Sequence, residues 1–509
     1  MAAGALNSDQ VNYLIWRYLQ ESAPKRNRRS NGTEVSTNGD HQMGDSMQLD
    51  HNGYHFRQDP LEPVSPNGYS PEDDGQANVM DIDNDADAPG SPTPEEQQIL
   101  TLTNGQSIGV QSDKVAELGP QTSILMVPDN SHVMHTAWNP KDPTILAVAG
   151  EALCRLWYIS RTASFTDNPN HKSYVDILDP AYGSYVSTMA WNPNGDTLAV
   201  ATRDDSSDWI GAVSLWSKMG KAEDELPAAQ DMVLKLRWSP SGNQLLGITT
   251  SGSGSSSILI WDRNSSPVAP YHLPNILTDA TWTSNNQVTV CGDGIIASSL
   301  LEEGKIVTLH TRSESECRHS WTYLRYDSRT HTTALAAEES AILGLIDSSD
   351  TLRTTLAHDA EITAIAFQPV TNLSAYPASA PRLLATSSLD GSIIIWDAKR
   401  PFTIVHRLTF GYQAPAMAMS FTPDGFLVAV ANENKVLIWN AEVGGVPKAS
   451  WKGDLKRLTN GSLTNGNGVE TMEEDGMDGE QNCSLSWDAE CGKLALGLGN
   501  QIAIINFRP

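Results

Sequence analysis

From about residue 120 onward, apolar and polar positions alternate in short runs broken by Gly, Asn, Asp and Pro, the pattern of strands joined by tight turns. The runs recur as one unit. An aliphatic residue is followed five positions later by an aromatic, often by Asn-Pro, Ser-Pro or Thr-Pro, then by a small-aliphatic strand and a strand ending in Trp. The first copy reads HVMHTAWNPKDPTILAVAG and closes in CRLW at Trp157; the second reads YVSTMAWNPNGDTLAVAT and closes at Trp216; the third, MVLKLRWSPSGNQLLGIT, ends in ILIWD at Trp261 and Asp262. The fourth, LTDATWTSNNQVTVCGDGIIASS, and the fifth, WTYLRYDSRTHTTALAAEESAILGLID, keep the strand rhythm without the terminal Trp. The sixth runs from His358 to LLATSSLDGSIIIWD, the seventh is AMAMSFTPDGFLVAVANENKVLIWN, and the last is CSLSWDAECGKLALGLGNQIAIIN. Their first-strand aromatics are Trp138, Trp191, Trp238, Trp282, Tyr326, Phe367, Phe421 and Trp487, spaced about 50 residues apart on average.

A period of ~40 to 45 residues lengthened by loop insertions is that of WD repeats. One four-stranded sheet of this kind has no core of its own, and stacking copies radially buries both faces of each. The fold class expected is therefore all-β, an eight-bladed WD-repeat β-propeller over residues 99–509, with SILMV (Ser123 to Val127) supplying the outer strand of the last blade so that no sheet edge is left open. In the sixth copy His358, a Ser or Thr near Thr386, Asp390 and Trp396 supply the groups of a hydrogen-bonded tetrad. That reading is structural, not catalytic.

The start of the chain follows a different period. Val11, Leu14, Ile15, Tyr18 and Leu19 fall at i, i+3, i+4, i+7 and i+8, one apolar face of a helix that Ser8 can cap and Pro24 ends. About fifteen residues make a marginal helix in water, so residues 1–23 must dock on the body or on another chain. Residues 24–98 are rich in Asn, Gly, Asp, Ser and Pro, with 5 basic and 15 acidic residues. Low hydrophobicity with excess charge predicts a disordered acidic linker, and a second acidic, disordered insertion is expected at about 459–481. PKRNRR (Pro24 to Arg29) reads equally as a nuclear import signal or as a solvated basic turn, and Ser65, Ser70, Ser91 and Thr93 each precede a proline, as proline-directed kinases require.

Charge and chemistry narrow the function. Lys plus Arg number 34 against 61 Asp plus Glu, a net charge of −27, which opposes direct nucleic-acid binding. Five scattered cysteines contain no CxxC pair, so neither a metal set nor a disulfide framework is predicted. No apolar run approaches the ~18 to 20 residues that span a bilayer. Phosphate-loop, HExxH, GxSxG and dinucleotide motifs are all missing, so no catalytic residue, cofactor or metal is expected. HVMH (His132 to His135) lies on a strand, where strict alternation sends the two imidazoles to opposite faces. A binding surface is the remaining class of function. Asp204, Asp205, Asp208 and Trp209 share one loop of the second copy, and Asp359 and Glu361 open the sixth. Such acidic loops attract Lys- and Arg-rich peptides, and an aromatic beside carboxylates can hold a cation.

LNSDQVNYLIWRYLQES resembles the first half of a LisH dimerisation motif. Together with the acidic linker, the eight repeats, the Trp-less DATWTSNNQVTVCGDG and the insertion VTNLSAYPASAP, the chain resembles the transducin-β-like corepressor subunits of histone deacetylase complexes, of the fungal type. The resemblance implies a nuclear, non-catalytic scaffold in transcriptional repression. Its partners would be corepressor and deacetylase subunits, basic peptides such as histone tails, and further copies of the chain through the N-terminal helix. The alternative is a substrate receptor of a cullin ubiquitin ligase, a class that often carries WDxR; Trp396-Asp397-Ala398-Lys399 has Lys in the Arg position.

Overall fold

Residues 114–119, 122–128, 131–160, 173–178, 185–203, 211–262, 270–312, 316–370, 379–411, 414–453 and 482–507 are described by a computed structural model of the chain. The N-terminal helix, the linker, the 204–210 loop and the 454–481 insertion lie outside the described residues. Among the described residues there is no α-helix, and the strands follow one another as four-stranded antiparallel units.

Two short strands, β1 (Ala116–Glu117) and β2 (Thr122–Met126), precede the first unit. That unit holds β3 (His132–Trp138), β4 (Ile145–Glu151), β5 (Leu153–Tyr158) and β6 (Tyr174–Asp176); the second holds β7 (Tyr185–Trp191), β8 (Thr197–Arg203), β9 (Gly211–Ser217) and β10 (Ala222–Ala229). The third comprises β11 (Met232–Trp238), β12 (Gln244–Thr250), β13 (Ser256–Asp262) and β14 (Tyr271–Leu273), and the fourth β15 (Leu277–Trp282), β16 (Gln287–Gly292), β17 (Ile295–Glu302) and β18 (Lys305–Thr311). Next come β19 (Tyr323–Asp327), β20 (Thr332–Ala337), β21 (Ile342–Ile346) and β22 (Leu352–Leu356), then β23 (Ile362–Phe367), β24 (Leu383–Ser388), β25 (Ser392–Asp397) and β26 (Thr403–Thr409). The seventh contains β27 (Ala418–Phe421), β28 (Leu427–Ala431), β29 (Lys435–Asn440) and β30 (Ala449–Lys452). The last contains β31 (Cys483–Trp487), β32 (Lys493–Leu498) and β33 (Gln501–Asn506), and its fourth strand is β2, paired antiparallel to β33 from Thr122↔Ile505 to Met126↔Gln501. β1 adds in parallel to the outer edge of β30.

The turn chemistry is local. In NPNG, SPSG and TPDG the residue before proline turns the chain after the first strand: Gly195, Gly242 and Gly425 donate to the carbonyls of Asn192, Ser239 and Thr422, at φ of 73°, 75° and 80°. Only glycine takes that conformation without strain. The side chains of Asn192, Ser239 and Thr422 then accept the backbone N–H of Thr197, Gln244 and Leu427, which starts the second strand in register.

First strands of successive units lie side by side in chain order, and β31 lies against β3. The core sits between units. Each apolar cluster is shared by two neighbours, as where Ala495, Ile502 and Ile504 of the last unit pack with Val133, Trp138 and Leu146 of the first. Both faces of the second strands are covered, so β4, β20 and β32 are buried almost end to end, as sheets buried on both sides require. First-strand tryptophans also bind unit to unit. Trp191 donates to the Ala137 carbonyl, Trp238 to Ala190, Trp282 to Arg237 and Trp487 to Ser420, each one residue before the preceding unit's aromatic.

One feature of these strands has no sequence signal. β3, β7, β11, β15 and β23 each carry a β-bulge near their start, after Val133, Val186, Val233, Leu277 and Ile362. The extra residue often bears a hydroxyl that reaches the next unit's backbone: Ser187 donates to Val233, Thr278 to Trp321 and Thr363 to Ala416. The bulge also corrects the reading of HVMH. His132 pairs with Glu151 and His135 with Ala149, two residues apart on β4, so the extra residue returns both imidazoles to the same face of the sheet.

Candidate functional site

The sixth unit brings the four tetrad groups together. Trp396 Nε1 donates to Thr386 Oγ1 at 3.0 Å, and Thr386 Oγ1 lies 2.7 Å from His358 Nε2. His358 Nδ1 lies 2.7 Å from Ser392 Oγ and 3.5 Å from Asp390 Oδ2. Asp390 accepts the backbone N–H of Ser392 at 2.7 Å and of Asp359 at 2.9 Å. Burial raises the Asp390 carboxyl, yet the hydrogen bonds from His358, Ser392 and the two amides outweigh it and hold the group well below the usual carboxylate range. The chain runs from β22 through a buried His358, so the tetrad fixes the loop that leads into β23.

That loop presents Asp359 and Glu361, both exposed. The structure sends them to different surroundings. Asp359 is anchored through its amide on Asp390, whereas the charge of Glu361 acts on Tyr323 at the start of β19. Glu338, just after β20, acts on the same phenol. Burial, then Glu338, push the Tyr323 hydroxyl far up, against the opposing pull of Arg325. A phenol under the field of two carboxylates, at the end of the ring where the first strands begin, can receive a lysine or arginine side chain. Tyr323 and Glu338 were missed from sequence because the three residues come from two repeats. Asp204, Asp205, Asp208 and Trp209, like Val11, Leu14, Ile15, Tyr18 and Leu19, lie outside the described residues. A further acidic concavity lies between β10 and the third unit, lined by Glu223, Asp224, Glu225 and Asp262 beside Trp238 and Trp261.

Two to three residues deeper along the first strands the charge changes sign. Asp279, just after its bulge on β15, accepts Arg237 Nη2 from β11 at 2.9 Å and Arg325 Nη1 from β19 at 2.6 Å. The amides of Ala280 and Leu324 complete its two oxygens at 2.9 and 3.0 Å. Desolvation raises this carboxyl, but Arg237, Arg325 and Lys235 overcome it and hold it far below the usual range. Three consecutive units are thus tied through one side chain. His135 and Lys235 stand at the equivalent post-bulge places on β3 and β11. His135 donates through Nε2 to the Ser187 carbonyl at 3.0 Å, and burial together with Lys235 pushes its imidazole down to about 4. Among the described residues no group of three or more His, Cys, Asp or Glu side chains could hold a metal ion.

This geometry, with antiparallel four-stranded units whose first strands form a closed inner ring, defines the fold as a WD40 propeller-like all-β architecture. Residues 349–397 match the WD domain, G-beta repeat family model. Among solved structures, the C-terminal WD40 domain of Sif2 superposes with a TM-score of 0.56 and 15% identity, covering 78% of this chain and all of that one. By sequence the chain is distantly related to the F-box-like/WD repeat-containing protein TBL1X. Identity is 23% over 200 residues with the Mus musculus protein, 37% of this chain and 35% of that one, and 22% over 200 residues with the Homo sapiens protein. Coronin-7 of Rattus norvegicus is 27% identical over 172 residues, 33% of this chain and 17% of that protein. The match spans about a third of the TBL1X chains.

Proposed function

We propose that the chain is a non-catalytic scaffold of a nuclear histone deacetylase corepressor complex, an eight-bladed WD-repeat propeller of the fungal type with a LisH-like N-terminal helix. The relationship to TBL1X carries this reading, and the WD40 fold agrees with a role in holding other proteins. The helix face of Val11, Leu14, Ile15, Tyr18 and Leu19 gathers copies or subunits, and the linker leaves the propeller free to reach. Tyr323, Glu338 and Glu361 receive basic segments such as histone tails, with Asp204, Asp205, Asp208, Trp209 and Asp359 as the neighbouring acidic rim. Several weak contacts on one assembly raise effective concentration without a tight single site.

The name F-box-like carried by the relatives favours examining one alternative, a cullin ligase receptor. Here the Trp396-Asp397-Ala398-Lys399 segment is engaged within the chain: Asp397 accepts the Arg382 and Lys399 amides and Arg400 Nε, and Lys399 Nζ donates to the Ala380 carbonyl. Affinity purification of the full chain from nuclear extract, read by mass spectrometry, separates the two. Deacetylase and corepressor subunits are expected; a cullin with its adaptor, and no deacetylase, would overturn the proposal.

A further inference from the structure

The inner layer of the ring holds more hydrogen-bond donors than the protein uses. Asp279 is saturated by Arg237, Arg325 and two amides. Arg325 spends Nη1 on Asp279 and the Leu324 carbonyl, leaving Nε and Nη2 without a partner among the described residues. Arg237 spends only Nη2, and its Nε is buried with no acceptor. The Lys235 side chain makes no hydrogen bond or ion pair among the described residues, its backbone alone being paired in the ladder with β12. Both guanidinium side chains remain about one-third exposed, 33% for Arg237 and 32% for Arg325.

Lys235 stands at the post-bulge place on β11, the place Asp279 holds on the neighbouring β15, two residues before Arg237. It is exposed to solvent, yet surrounding protein desolvates its amine and, with Arg237 and Arg325, pushes it below the usual lysine range against the pull of Asp279 and Glu338. It acts on His135, two units back, and feels Arg325, two units forward. The charged groups whose fields act on it are two guanidiniums, a carboxylate whose lone pairs are already filled and Glu338, and its own charge acts on an imidazole that is neutral at pH 7.

We propose that Lys235, Arg237 and Arg325 form a binding site for a phosphoryl oxyanion in the central channel, free in solution or carried on a partner peptide. A tetrahedral anion adds oxygens in a third and fourth direction, so it can accept at once from an ammonium and from two guanidinium edges arriving from different strands. The site is separate from the basic-peptide reading at the mouth, and stands if that reading fails.

The test uses the full chain in sodium phosphate against sodium chloride of matched ionic strength, by thermal unfolding and calorimetric titration. Phosphate is expected to raise Tm above chloride, with sulfate competing. Lys235→Met should lose that shift and weaken phosphate binding about tenfold or more, while its Tm in chloride stays level or rises because a repelled cation is gone. Lys305→Met, an exposed lysine on β18, should behave as wild type. No phosphate-specific shift in wild type, or an equal shift in Lys235→Met, would overturn the site. A phosphoserine peptide titrated beside its unphosphorylated form identifies the source. Tighter binding than inorganic phosphate means a carried phosphoryl group, weaker or equal binding a free anion, and binding of neither removes the proposal.

Discussion

Trp282 illustrates what a single repeat residue contributes. Its ring packs with Leu277, Val288 and Ile295 against the third unit, and its indole N–H donates 2.9 Å to the Arg237 carbonyl. Trp282→Phe keeps most of the packing and removes the donor. A loss of roughly 1 to 3 kcal/mol in urea unfolding is expected, with the ring intact because Phe421 holds the same place in the seventh unit. His135 gives a residue-level pH dependence. Its folded value of about 4 lies below the ordinary 6.5, so between these values the unfolded chain binds a proton that the native one refuses. Stability therefore falls as pH drops from 6.5 toward 4. His135→Asn should flatten that part of a stability-versus-pH curve; an unchanged slope would assign it to other groups.

At the scale of elements, neighbouring sheets are coupled by polar contacts as well as by apolar faces. Asp327 on β19 and Arg382, just before β24, pair at 2.7 Å with side-chain exposures of 5% and 6%, and Arg382 also donates to the Gln368 carbonyl. Asp327→Ala leaves a guanidinium buried without its carboxylate, so a loss of about 3 to 5 kcal/mol is expected in denaturant titration. A loss below about 1 kcal/mol would mean that water reaches the arginine. β2 is the other coupling element. Deleting residues 114–126 removes both added strands and bares the edge of β33, whose main-chain groups then seek another strand. The shortened chain is expected to self-associate in size-exclusion chromatography; a monodisperse monomer would show that β33 is protected by other means.

On the scale of the molecule, the strand rhythm was legible because period-two alternation and proline-glycine turns are local. The first-strand aromatics all fall where the structure places them, and SILMV is the strand that pairs with β33. The tetrad was legible for the same reason, since His358, Thr386, Asp390 and Trp396 belong to one copy. Tyr323, Glu338 and Glu361 were only partly legible, because the phenol and the carboxylates that act on it come from two repeats. The Lys235, Arg237, Asp279 and Arg325 group was not legible at all. It depends on bulges, each one added residue that reverses alternation without altering composition, and on side chains that come from three consecutive units.

The pairing of Thr122 with Ile505 also sets an order of events during synthesis. β2 waits, edge exposed, while every other strand of the ring is made, because its partner β33 is the last of those strands along the chain. Final closure is thus a long-range step that follows the assembly of every other sheet, and the nascent chain needs shielding throughout that interval.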